Sequence, residues 1–144
     1  MDNRRIFNLT SDFLVSACQL AYVEEAPGTL SILENLNDVL RYITCPSETV
    51  TLYEELFALE KYIVLYRMRF GDRISFSINN NSDNKAAYIE RLKVINVVDT
   101  FLVDLLESSE ESVSVVLDLS LNHNSKFVMR MVDENGRQVF EKEL

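Results

Sequence analysis

The stretch Val50-Thr51-Leu52-Tyr53-Glu54-Glu55-Leu56-Phe57-Ala58-Leu59-Glu60-Lys61-Tyr62-Ile63-Val64-Leu65-Tyr66-Arg67-Met68-Arg69-Phe70-Gly71-Asp72-Arg73 decides the fold. Thr51 and Glu54 form a T-x-x-E capping box, which opens a helix by satisfying N–H groups that have no partner in the first turn. Leu52, Leu56, Leu59, Ile63, Tyr66 and Phe70 recur at spacings of three and four, so they share one face. Gly71 ends the helix, because a residue without Cβ takes the left-handed conformation cheaply. Beyond it Ile74, Phe76 and Ile78 alternate with polar residues, which predicts a strand over 73–79. Within this unit Glu54 and Glu55 read as a cap and a solvated helix face rather than an acid–base pair. The aromatics Phe57, Tyr62, Tyr66 and Phe70 read as core, and Arg69 and Arg73 as partners for nearby acids.

Upstream, residues 3–24 carry Ile6, Leu9, Phe13, Ala17 and Leu20 on one stripe, which predicts a helix. Pro27-Gly28 interrupts it. Thr29 then caps a second helix over 30–44, with the stripe Leu33, Leu36, Leu40 and Ile43. So short a break favours an antiparallel hairpin. Two helices cannot cover their own apolar faces, and the simplest remedy is pairing with a second copy into a four-helix bundle. The expected dimer interface is Leu9, Phe13, Leu14, Ala17, Leu20, Leu33, Leu36 and Leu40. Cys45-Pro46-Ser47 closes the hairpin, giving a dimerisation unit over 1–46 and an α/β unit over 47–144.

Downstream, Asn79 to Asn84 form a polar loop, and residues 88–107 are expected to be the most buried helix, with Ile89, Leu92, Ile95, Val98, Leu102 and Leu105 on more than one face. Residues 112–121 alternate through Val113, Val115, Leu117, Leu119 and Leu121 as a strand, and Phe127, Met129 and Met131 begin a returning one. The class is α+β: a helical hairpin, then α-β-α-β-β. With 3 Gly and 2 Pro in 144 residues there is little material for a turn-rich all-β fold.

The formal charge is −9, from 14 basic and 23 acidic residues. Nucleic acid and anionic lipid both demand basic surface, so neither is an expected partner. No apolar run is long enough to span a bilayer. The N-terminus lacks a signal-peptide core, and Cys18 and Cys45 form no CxxC pair, which suits a reducing cytoplasm. Cys18 reads as an inert packed thiol, and His123, the one histidine, as a turn residue between two Asn. No metal-ligand spacing, P-loop or G-x-S-x-G pattern occurs.

Several blocks carry a family resemblance. Val50 to Leu56, Tyr62 and Arg69-Phe70-Gly71-Asp72-Arg73 resemble the region joining the catalytic modules of LytS/YesM-type sensor histidine kinases. Val39-Leu40-Arg41-Tyr42 is similar to the end of their dimerisation hairpin, and Val132-Asp133-Glu134-Asn135-Gly136 to their first glycine box. The resemblance implies a hairpin followed by a kinase-ATPase-like α/β sandwich. It also implies partners: a response regulator or a sensor kinase.

The departures are specific. Asp12, within Thr10-Ser11-Asp12-Phe13-Leu14-Val15-Ser16, stands where the family carries its phospho-accepting histidine. A carboxylate does not replace imidazole as nucleophile there, and no cluster of further acids surrounds it to build a Mg²⁺ site. In Val97 to Leu105, Asp99 keeps an acid but Thr100 replaces the metal-holding Asn. Glu134 stands for the adenine-reading Asp, beside Asn135 and Gly136, and the sequence ends at Leu144, before the family's ATP lid. The resemblance therefore implies a degenerate kinase with no catalytic residue, no cofactor and no metal, whose Asp12, Val15, Ser16 and Gln19 contact a partner. The alternatives are a residual kinase or phosphotransfer enzyme, which would have to use His123, and a remnant with a structural role alone.

Overall fold

The computed structural model describes residues 3–80, 87–108, 113–121, 127–132 and 138–143. Helix α1, Asn3–Val23, and helix α2, Pro27–Ile43, pack against each other as the expected hairpin. The break between them sits earlier than Pro27-Gly28. Glu25 takes a left-handed φ of 52°, and Pro27 is itself at the start of α2, after Ala26. Thr29 is thus inside the first turn rather than its cap. The ring of proline presets φ for a helix and its missing N–H would have gone unbonded there anyway.

Strand β1, Thr49–Thr51, leads directly into helix α3, Leu52–Phe70. The capping box is present in full: the Glu54 N–H donates to Thr51 Oγ1 at 3.2 Å, and the Thr51 N–H to Glu54 Oε2 at 2.8 Å. Gly71 caps the C-terminus at φ 66° and opens a short 3₁₀ turn, Gly71–Arg73, before strand β2, Ile74–Asn80. Strand β3, Tyr88–Glu90, pairs antiparallel with β1, Val50 opposite Ile89. Helix α4, Lys93–Ser108, follows, so residues 88–90, expected as helix, are strand instead. Strands β4, Val113–Leu121, β5, Phe127–Val132, and β6, Gln138–Glu143, complete a four-stranded sheet of order β2-β4-β5-β6. The β2–β4 pair is parallel and the others are antiparallel. Strand β6 is not expected from the sequence: only Phe140 of its residues is half-buried, so it lacks an alternating pattern.

The core lies between the sheet and the two helices α3 and α4. Across the sheet Phe76 sits opposite Val115, Leu117 opposite Met131, and Leu119 opposite Met129, all buried. Helix α3 sinks Leu52, Glu55, Leu56, Ala58, Leu59 and Ile63 into it, more than the Val94, Ile95, Val98 and Leu102 described for α4. Helix α3 also carries the hairpin, because α2 packs along it. Tyr62, Tyr66 and Phe70 lie against the core as expected, but Phe57 is 43% exposed, stacked with Tyr53 and under the Lys61 ammonium.

Candidate functional site

On α1 the sequence singled out two sets of residues, and the structure separates them. Asp12, Val15, Ser16 and Gln19 are all exposed. Ser16 donates its hydroxyl to the Asp12 backbone carbonyl at 3.0 Å. Phe13 and Leu20, two helical turns apart, are 68% and 57% exposed. At about 100° per residue their line is roughly 160° around the helix from Val15 and Tyr22. Between the two lines Leu14 and Ala17 are half-buried and Ala21 is buried against α2. On α2, Leu33, Leu36 and Leu40 are half-buried. The Leu9 side chain lies outside the described residues.

The second region is α4. Asp99 and Thr100 are consecutive but point apart. Asp99 turns toward α3, where its Oδ1 accepts hydrogen bonds from the Tyr62 and Tyr66 phenols, the latter at 2.9 Å. Thr100 faces outward, donates to the Asn96 carbonyl at 2.9 Å, and lines a cleft of about 320 Å³ with Phe101, Asp104, Phe140 and Lys142. Asp99 and Asp104 do not converge, and among the described residues no group of three or more potential metal ligands occurs. Glu134, Asn135, Gly136 and His123 lie outside the described residues. Cys18 and Cys45 are both unbridged and half-buried.

Burial raises the Tyr62 phenol, with the hydrogen bond to Asp99 the next cause, and carries its titration well above the ordinary tyrosine value of 10.0. Burial lifts Tyr42 likewise, helped by its bond to Glu55. A group whose folded pKa is raised contributes stability in full below its unfolded value and loses it as pH rises. Stability is therefore expected to fall as pH rises past about 10. Tyr62→Phe should flatten that alkaline limb and cost about 1–2 kcal/mol at neutral pH. Urea melts against pH, with tyrosinate absorbance as the second signal, check both.

Glu55 departs from the solvated helix face expected for it: it is 0% exposed. Its Oε1 accepts the N–H groups of Val94 at 2.9 Å and Ile95 at 3.1 Å, and its Oε2 accepts the N–H of Leu92 at 2.9 Å and the phenol of Tyr42. It is the cap of α4, supplied from another helix. Leu92, with φ 66°, stands where Ser, Thr, Asp or Asn normally caps, and its apolar side chain cannot do so. The positive end of the α4 dipole and these donors compensate the buried carboxylate. The signal was present in the spacing: Glu55 falls three after Leu52 and four before Leu59, within the apolar stripe.

Among protein families, the one described as Histidine kinase matches residues 11–74, from the middle of α1 to the start of β2. Over those residues, less than half of the chain, the sequence is similar to that family. The match includes Asp12 and the whole of α3 and stops short of α4. No curated protein matches the chain. Of solved structures, the histidine kinase domain of the blue-light activated histidine kinase EL346 from Erythrobacter litoralis is similar at 14% identity and a TM-score of 0.46, over 85% of this chain and 62% of that one. A second structure of the same kinase is similar at 11% identity and a TM-score of 0.44, over 95% of this chain and 48% of that one. This chain thus spans less than two thirds of either. No helix among the described residues is long and apolar enough to cross a membrane.

Proposed function

We propose that the chain is a non-catalytic relative of LytS/YesM-type sensor histidine kinases that acts in cytoplasmic two-component signalling by occupancy. It pairs with a second copy through its hairpin and binds a response regulator or an intact kinase through the Asp12, Val15, Ser16 and Gln19 surface. The observation that carries this reading is Asp12, an exposed residue inside the family match; by the resemblance it stands where the family carries its phospho-accepting histidine. An acid there gives an accessible surface but no imidazole to take a phosphoryl group. The α4 geometry supports it. Asp99, the acid kept beside the metal-holding position, is engaged by two phenols, and Thr100, which by the resemblance replaces the metal-holding Asn, lines a different face of α4.

The test is incubation with γ-labelled ATP and Mg²⁺, followed by binding to response regulators and kinases of the same cell. The expected result is no label on the chain, with binding to one of those partners that Asp12→Arg or Val15→Glu weakens at least about tenfold, equivalent to 1.4 kcal/mol. Label that disappears in His123→Ala would establish the residual enzyme instead, and an unlabelled chain that binds none of these partners would leave the regulator reading without support.

A further inference from the structure

The connection between the hairpin and the α/β unit is where a two-module protein would be expected to hinge. Residues 44–48 join α2 to β1 without helix or strand, and carry Pro46. Yet this connector is gripped from both sides by one residue. Arg91 donates Nε–H to the Ser47 carbonyl at 2.8 Å, and its Nη1 donates to the Ile43 and Tyr42 carbonyls, the latter at 3.4 Å. Its backbone N–H donates to the Glu48 carbonyl at 2.9 Å. The guanidinium therefore sits on the C-terminal carbonyls of α2, the negative end of that helix dipole. Next to it, Tyr42 of α2 donates its hydroxyl to Glu55, whose other bonds hold the N-terminal turn of α4.

The two helix ends are thus capped in trans at one point: a cation from just before α4 closes α2, and an anion from α3 closes α4. The geometry points to a built-in lock, in which Arg91, Tyr42 and Glu55 hold the hairpin at one fixed angle on the α/β unit. The planar fork of arginine matters, since it reaches carbonyls at the end of α2 and within the connector at once; the point charge of a lysine cannot. Breaking the Tyr42 bond leaves a buried carboxylate one donor short, so partial opening is costly and the lock is either made or released. This goes beyond the signalling proposal and does not depend on it: the hairpin would be a rigid arm whatever it binds.

The experiment uses the full chain with spin labels at Gln19→Cys on α1 and Ser77→Cys on β2, both exposed, in a Cys18→Ser, Cys45→Ser background. Dilution into unlabelled chain confines the signal to distances within one molecule. The expected result is a single narrow distance distribution that broadens or splits in Arg91→Lys and in Tyr42→Phe. Amide exchange at Leu92, Val94 and Ile95 should also rise at least about tenfold in Tyr42→Phe. Tyr42→Phe removes one hydroxyl and keeps the ring, so it retains the fold if Arg91→Lys does not. A broad distribution in the parent chain would overturn the lock, and so would distributions in the folded variants as narrow as the parent's.

Discussion

Glu55→Ala is expected to lose about 3–5 kcal/mol of stability, the largest effect on folding of any single substitution argued for this chain. The magnitude follows from what the carboxylate holds. Removing it strands the N–H groups of Leu92, Val94 and Ile95 and the Tyr42 hydroxyl inside the protein, and each buried donor without an acceptor costs about 1–3 kcal/mol. Relaxation of the first turn of α4 recovers part of that sum. A small domain has only about 5–15 kcal/mol in total, so the variant is expected to be partly unfolded at 37 °C. Glu55→Gln keeps the shape and one acceptor oxygen but loses the charge opposite the α4 dipole, and should fall between the two.

The comparison with the adjacent acid is the decisive one. Thr51→Ala, which dismantles the exposed capping box, should cost about 1 kcal/mol. Glu54 has its carboxyl held below the ordinary glutamate value of 4.5 by hydrogen bonds from the Thr51 N–H and hydroxyl. That contribution is complete above pH 4.5 and fades as the pH falls through the lowered folded value, so Glu54→Gln should lower stability modestly at pH 7, cost less at pH 4, and blunt the acid sensitivity. Urea unfolding of the four variants at pH 7 and pH 4 settles the order. If Glu55→Ala costs no more than Thr51→Ala, the buried cap is misassigned.

These two glutamates also show what a sequence discloses. The Thr51–Glu54 box, the Gly71 stop and the strands over Ile74–Asn80 and Val113–Leu121 rest on local rules of capping, left-handed backbone and alternation, and all of them form. The hairpin follows from periodicity alone. What local rules leave unread is long-range satisfaction. Glu55 serves donors 37 to 40 residues away, so only its place in an apolar stripe hinted at burial. Strand β3 shares that cause, since Tyr88–Glu90 looks helical until β1 offers it an edge. At the candidate site the resemblance marks Asp99 and Thr100 as neighbouring degenerate positions, but successive helix residues project about 100° apart, and here only Asp99 reaches the Tyr62 and Tyr66 phenols. The exposure of Asp12, by contrast, follows from its place off the apolar stripe of α1, because an exposed helix residue needs nothing from the rest of the fold.

The second large effect concerns association. Phe13 and Leu20 form an apolar line on α1 that α2 leaves 68% and 57% exposed. Side chains of this size gain about 1.5–3 kcal/mol on burial, and a two-fold seam contains each of them twice. A carboxylate placed there adds repulsion from its own symmetry mate. Phe13→Asp, or Leu20→Glu, is therefore expected to weaken self-association by about 3–6 kcal/mol, a Kd at least about 100-fold higher. Leu14→Glu and Leu36→Glu should also dissociate a dimer, but Leu14 and Leu36 are half-buried within one hairpin, so they are expected to lower the melting temperature as well. Phe13 and Leu20 separate the two effects: the monomer they leave should melt as the parent does at low concentration. Sedimentation equilibrium gives the dissociation constant and circular dichroism the melt. A parent chain that is monomeric at high micromolar concentration defeats the bundle. Variants that remain dimeric move the seam to the opposite line of α1, where Val15 and Tyr22 are exposed and where the proposed partner surface would then be covered.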